Sequence, residues 1–132
     1  MSPSTVRVLV VDDYEPCRRF VRVTLGQFPA LQIVGEASDG LEAVRLAEEL
    51  KPDLILLDIG LPSLSGTEAA RQIRNLAPES KIIFLSQETS AEVMQEALSS
   101  GAWGYVIKAR AASDLLAAVE AVLRGEHFVS ST

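Results

Sequence analysis

Short β-branched apolar runs alternate with longer stretches of helical period along the whole chain, and no other feature limits the possible folds as much. The runs fall at Val6–Val11, Leu31–Val34, Leu54–Leu57, Ile82–Leu85 and Tyr105–Ile107, each of strand length. Between them apolar residues recur every three or four positions. One stretch reads Cys17, Phe20, Val21, Thr24, Leu25, Phe28; another Leu41, Val44, Ala47, Leu50; the last Leu115, Leu116, Val119, Val122, Leu123. That spacing gives each helix one face to bury. Two weaker segments, Gly66–Leu76 and Ala91–Ser100, also read as helices, the latter anchored only by Met94, Ala97 and Leu98. Breakers fall where this reading needs them, at Phe28-Pro29, Pro52-Asp53, Ala77-Pro78 and Ser100-Gly101. Consecutive strand–helix pairs without long loops are βαβ units, and right-handed crossovers force a parallel sheet covered on both sides. The expected fold is α/β, a doubly wound five-stranded parallel sheet with helices on both faces.

Composition serves to exclude. At 132 residues, 48% apolar and 23% charged, the chain is sized for one domain and is neither disordered nor fibrous. No apolar run approaches the roughly 18 residues of a membrane span, and no basic-then-apolar leader opens the chain. A soluble, cytoplasmic domain is the expectation. The single cysteine, Cys17, leaves no internal disulfide and no thiolate metal cluster; on an apolar helical face it reads as a small core residue. A net charge of −6 is the wrong sign for a domain that itself grips DNA phosphates. Residues 1–125 read as the domain and 126–132 as a tail or the start of a linker, with His127 lacking a partner.

In open parallel sheets, chemistry gathers beyond the carboxyl ends of the strands. Here those ends carry Asp12-Asp13, Asp58, Ser86 and Lys108, while the second strand ends blandly in Gly35-Glu36-Ala37. Any one of these aspartates alone is more simply a turn former or helix cap; their joint placement on separate strands is not. Three carboxylates and one ammonium leave two negative charges, which a divalent cation neutralises. Oxygen ligands without histidine or cysteine suit Mg²⁺ or Mn²⁺. A lysine beside such an ion is common equipment for phosphoryl transfer. Neither glycine-rich phosphate-binding motif occurs. Phosphate carried on a carboxylate therefore fits better than a bound nucleotide.

Four separated stretches then resemble the receiver domain of bacterial two-component response regulators. They are Val-Leu-Val-Val-Asp-Asp (8–13), Asp-Leu-Ile-Leu-Leu-Asp-Ile-Gly-Leu-Pro-Ser-Leu-Ser-Gly (53–66), Ile-Ile-Phe-Leu-Ser (82–86) and Gly-Ala-Trp-Gly-Tyr-Val-Ile-Lys (101–108). The resemblance implies a flavodoxin-like fold with strand order 2-1-3-4-5. It implies that Asp58 accepts a phosphoryl group from a histidine kinase or phosphotransfer protein. Asp13 and Asp58 would bind Mg²⁺ through carboxylates, Asp12 through water and Gly60 through its backbone carbonyl. Ser86 and Lys108 would contact the phosphoryl oxygens, and Tyr105 would swing inward beside Ser86 as part of the switch. The stretch 121–130 resembles the junction leading to LuxR-type helix-turn-helix output domains, so transcription control and DNA binding are expected only through an output domain outside this chain. A homodimer through the surface of the fourth helix, fifth strand and fifth helix, including Trp103, is a further expectation; the plainer one is that Trp103 packs over the sheet edge.

Two positions depart from the family. Ala109 follows Lys108 where many receivers have proline, and a cis bond before a non-proline residue costs about 3 kcal/mol. Gln87 stands where alanine is frequent. Competing readings are a receiver-like interaction domain that is not phosphorylated, and a phosphatase-like hydrolase. The hydrolase is disfavoured because Gly60 stands where a second acid is needed, so the expectation is a switch rather than an enzyme.

Overall fold

The computed structural model describes residues 5–131. Its elements follow in the order β1 (Val6–Val11), α1 (Glu15–Leu25), β2 (Leu31–Ala37), α2 (Gly40–Leu50), β3 (Leu54–Leu57), α3 (Gly66–Leu76), β4 (Lys81–Ser86), α4 (Ala91–Ser99), β5 (Gly104–Ile107), a 3₁₀ turn (Lys108–Arg110), α5 (Ala111–Leu123) and β6 (Phe128–Val129). The strands form one sheet in the order β2-β1-β3-β4-β5-β6, and every pairing is parallel.

The pleat sorts the core into two layers, because successive side chains point to opposite faces. Leu9, Val11, Ile55, Leu57, Phe84 and Tyr105 pack with Ala43, Ala47, Ala69, Ile73, Met94 and Ala97 of α2, α3 and α4. Val8, Val10, Leu54, Leu56, Ile83 and Val106 pack with Val21 and Leu25 of α1 and with Leu115, Val119 and Val122 of α5. Both layers are apolar, so the central strands read as unbroken hydrophobic runs, as strands buried on two sides do. Local chemistry starts the helices: Asp39, Ser65 and Ser90 each accept a hydrogen bond from the backbone N–H three residues on, satisfying a donor that a helix N-terminus leaves free.

Three expectations need correction. The sheet has six strands, not five: Phe128–Val129 pairs with β5, in the stretch read as tail or linker. The first helix stops at Leu25, before Phe28, which is 41% exposed. In α2 the buried residues are Gly40, Ala43 and Ala47, whereas Leu41 is 58% exposed. The parallel register of the central strands brings Asp12, Asp58, Ser86 and Lys108, each following or ending a strand, to one rim of the sheet.

Candidate functional site

Residues 12 and 58 are neighbours because β1 and β3 run in register, Val11 opposite Leu57. The ladder carries one step past both strands: the Asp12 N–H donates to the Ala37 carbonyl, and the Asp58 N–H to the Val11 carbonyl, each at 3.0 Å. Asp12 Oδ1 accepts from the Tyr14 N–H at 2.9 Å, turning the chain towards α1. Arg18 on α1 reaches back with Nη1 to the Asp12 carbonyl at 2.5 Å, and also pairs with Glu15 and Glu36. Asp58 Oδ1 accepts from the Ile59 N–H at 2.8 Å. Behind it, Gly66 lies so close that an added Cβ would collide with the Asp58 carbonyl and Ile59 Cα. Only a residue without a side chain lets α3 start this near the aspartate.

Lys108 enters from the end of β5. Its Nζ lies 2.8 Å from Asp12 Oδ2 and 3.4 Å from Asp58 Oδ2. The contact with Asp12 is an ion pair without hydrogen-bond alignment, so the buried Oδ2 has no hydrogen-bond partner among the described residues. Buried carboxylate oxygens are rarely left so. Oxygens of Asp12, Asp13 and Asp58 all lie within 4.8 Å of one another. Asp12 and Asp58 are buried, and Asp13 is exposed at the mouth. This all-carboxylate donor set fits a hard divalent cation.

The opposite wall is β4 and the loop after it. Ser86 is buried, and its Oγ accepts from the Glu88 N–H at 3.2 Å. Tyr105 is fully buried, and its hydroxyl donates to the Glu88 carbonyl at 2.8 Å. The ring therefore occupies the inward position, with its polar tip satisfied by the loop that carries Ser86. A cleft of about 560 Å³ opens between these walls, lined by Asp13, Tyr14, Asp58, Gly60, Ser86, Gln87, Glu88 and Lys108.

Burial pushes the Asp58 carboxyl above its ordinary range; Lys108 opposes this and Asp12 adds to it. Lys108 itself sits above its usual value: burial alone would lower it, but the paired Asp12 carboxylate and the field of Asp58 outweigh that. The lysine thus stays charged. The Cys17 thiol, half-buried beside Asp12, is pushed up to about 12, first by burial and then by Asp12; it is a wall residue with no thiolate chemistry.

The structure brings Asp12, Asp13, Asp58, Ser86 and Lys108 together, with Gly60 on the same cleft and Tyr105 behind Ser86. Lys108 runs into a 3₁₀ turn, and no cis peptide occurs among the described residues. Glu48, Glu49, Arg71 and Arg74 are solvated helix surface. Trp103 is half-buried. It packs on the α1–α5 layer, Lys81 Nζ lies 4.4 Å over its ring, and it stacks on His127 at 4.6 Å. His127 therefore has a partner. The sequence reading missed Arg18 and the backbone of Glu88. The only sequence signal for Arg18 is its spacing, one helical turn after Glu15 and six residues after Asp12.

The response regulator receiver domain family matches residues 8–120. The transcriptional regulatory protein LiaR of Bacillus subtilis is 37% identical over 121 residues, covering 92% of this chain and 57% of LiaR. The crystal structure of a LuxR-family two-component response regulator from Aurantimonas sp. SI85-9A1 superposes with a TM-score of 0.89 at 34% identity, over 95% of this chain and 89% of that one. The response regulator domain of Thermotoga maritima CheB gives 0.81 at 36% identity, over 88% and 94%. The chain thus spans little more than half of LiaR but nearly all of the solved receivers. The family match over residues 8–120 makes this chain a member of the response regulator receiver family, and its relatives include a regulator of the LuxR family.

Proposed function

We propose that Asp58 is the phosphoacceptor, taking a phosphoryl group from a histidine kinase or a histidine phosphotransfer protein. The ionised Asp58 oxygen attacks phosphorus; one P–O bond forms while the donor's P–N bond breaks. The electron pair leaves with the imidazole, and Asp58 has no proton to lose. A Mg²⁺ or Mn²⁺ ion, held by Asp13 and Asp58 directly, by Asp12 through water and by the Gly60 carbonyl, would neutralise the phosphoryl oxygens. Lys108, held charged by Asp12 and Asp58, pairs with one of those oxygens and steadies the in-line geometry. Ser86 Oγ turns from the Glu88 N–H to donate to another. Tyr105 fills the space behind Ser86.

The new group adds about −1.5 to −2 charges and three acceptor oxygens, enough to bias the β4–α4 loop and α4. The downstream role is transcription control in the cytoplasm through an output domain that binds DNA, with self-association through the α4, β5 and α5 surface, Trp103 included. The observation that carries the reading is the convergence of Asp12, Asp13 and Asp58 within 4.8 Å of one another, with Lys108 paired to Asp12 and Asp58.

Incubation with Mg²⁺ and acetyl phosphate, followed by intact mass, tests it. A single phosphoryl adduct, absent in Asp58→Asn, is expected. No adduct contradicts it in favour of an unphosphorylated interaction domain. Turnover of external phosphate esters contradicts it in favour of a hydrolase.

A further inference from the structure

The segment after α5 does more than leave the domain. Gly125, at φ +85°, reverses the chain, and Phe128–Val129 then lies parallel to β5, Gly104 opposite Phe128 and Tyr105 opposite Val129. The next residue, Ser130, closes the contact. Its N–H donates to the Tyr105 carbonyl at 2.9 Å. Its hydroxyl accepts from the Ile107 N–H at 3.1 Å and donates to Asp114 Oδ2 at 2.7 Å. Ser130 is 4% exposed. The Ser130 hydroxyl is the leading reason the Asp114 carboxyl lies below its ordinary range, with Ser113 and Arg110 assisting. One side chain and one amide thus satisfy two groups of β5 that an edge strand would present to water.

The position of this clasp matters. Tyr105 holds the Glu88 carbonyl behind Ser86, and Ile107 directly precedes Lys108, which contacts Asp58. Tyr105 therefore meets the loop behind Ser86 through its side chain, Ile107 leads directly into Lys108, and both residues meet Ser130 through their backbone. We propose that docking of Phe128–Ser130 on β5 is coupled to the phosphorylation state of Asp58, with Ser130 as the clasp. The proposal rests on Asp58 being the phosphoacceptor.

The direction follows from the geometry. With the clasp closed, Tyr105 is buried behind Ser86, and the function proposed above has it fill that space once Ser86 turns to a phosphoryl oxygen. Two equilibria that favour the same arrangement of β5 stabilise each other, and the coupling is reciprocal. Phosphorylation tightens the clasp. The clasp is also weak enough to be moved, since a few hydrogen bonds oppose a backbone-ordering cost of similar size. Ser130 and Ser131 further wall a cleft with Ala91, Met94 and Leu98 of α4, so opening or closing the segment reshapes the α4–β5–α5 surface and the path of the chain beyond it.

Pulsed hydrogen exchange on the whole chain tests this, with intact mass read on the same sample. Mg²⁺ and acetyl phosphate are expected to slow exchange of the Ser130 and Ile107 amides by about fivefold or more. Ser130→Ala should lose that protection while the Val8–Val11 amides keep theirs, and Ser130→Thr, which retains the hydroxyl, should restore it. A phosphoryl adduct with unchanged Ser130 and Ile107 exchange overturns the coupling alone. So does a Ser130→Ala chain that responds like the parent. Absence of the adduct overturns the phosphoacceptor reading and the coupling with it, and the mass measurement distinguishes that failure from the others.

Discussion

Asp58 is held at an energetic cost. Burial and the neighbouring Asp12 raise its pKa above the ordinary 3.8, and Lys108 recovers only part of the loss. A carboxyl whose folded pKa is raised withholds stability above that pKa and returns it as pH falls through the folded value towards the unfolded one. Asp58→Asn is therefore expected to stabilise the metal-free chain at pH 7 by about 1 kcal/mol. The gain should shrink as pH drops through the raised pKa, and millimolar Mg²⁺ should narrow it by stabilising the parent. Thermal unfolding followed by circular dichroism reads all three; a variant less stable than the parent at pH 7 without metal contradicts the assignment. Gln87 is exposed at the cleft mouth, where its long side chain is expected to limit the approach of water to a phosphorylated Asp58. Gln87→Ala should shorten the phosphoaspartate lifetime severalfold; an unchanged or longer lifetime removes Gln87 from that role. The four charged residues were legible because each breaks off an apolar strand at the same end. Arg18 and Glu88 were not, because one binds a carbonyl and the other acts through its backbone, contacts that appear only once the chain is folded.

Helix α4 is more thinly buried than α5. Of its nine residues only Met94 and Ala97 are buried, whereas α5 buries six of thirteen. Few buried contacts mean low local stability. Native-state hydrogen exchange should find the α4 amides less protected than those of α5, and Ser90→Ala, which removes the hydrogen bond to the Val93 N–H, should cost about 1 kcal/mol and widen the difference. Equal protection of the two helices would remove α4 as the moving part. Strands β1 and β3 were readable to the residue because Val8–Val11 and Leu54–Leu57 are apolar and buried on both faces, with Arg7 the one polar interruption. Helix faces were less so: α2 buries small alanines against α3 and leaves Leu41 out, a choice made by close packing that periodicity does not encode. The sixth strand has two residues, too short for any pattern, and its pairing depends on Ser130 and Asp114 meeting across sixteen residues of sequence.

The whole molecule is an acidic sheet sandwich with its chemistry concentrated on one rim. Its net charge of −6 sets it apart from a DNA-gripping domain, and the proposed DNA contact belongs to a separate output domain. The alternation of strands and helices was sufficient to give the doubly wound class and the location of the rim, because parallel crossovers leave little topological freedom. What the rim does depends on one group being the acceptor. Phosphorylation with Mg²⁺ and acetyl phosphate, reduction of the acyl phosphate with borohydride and peptide mapping locate that group directly. The reduced, alcohol-bearing side chain should appear at position 58 alone. A label at position 12, 13 or 86 instead, or none in a chain shown to be folded, would contradict the account.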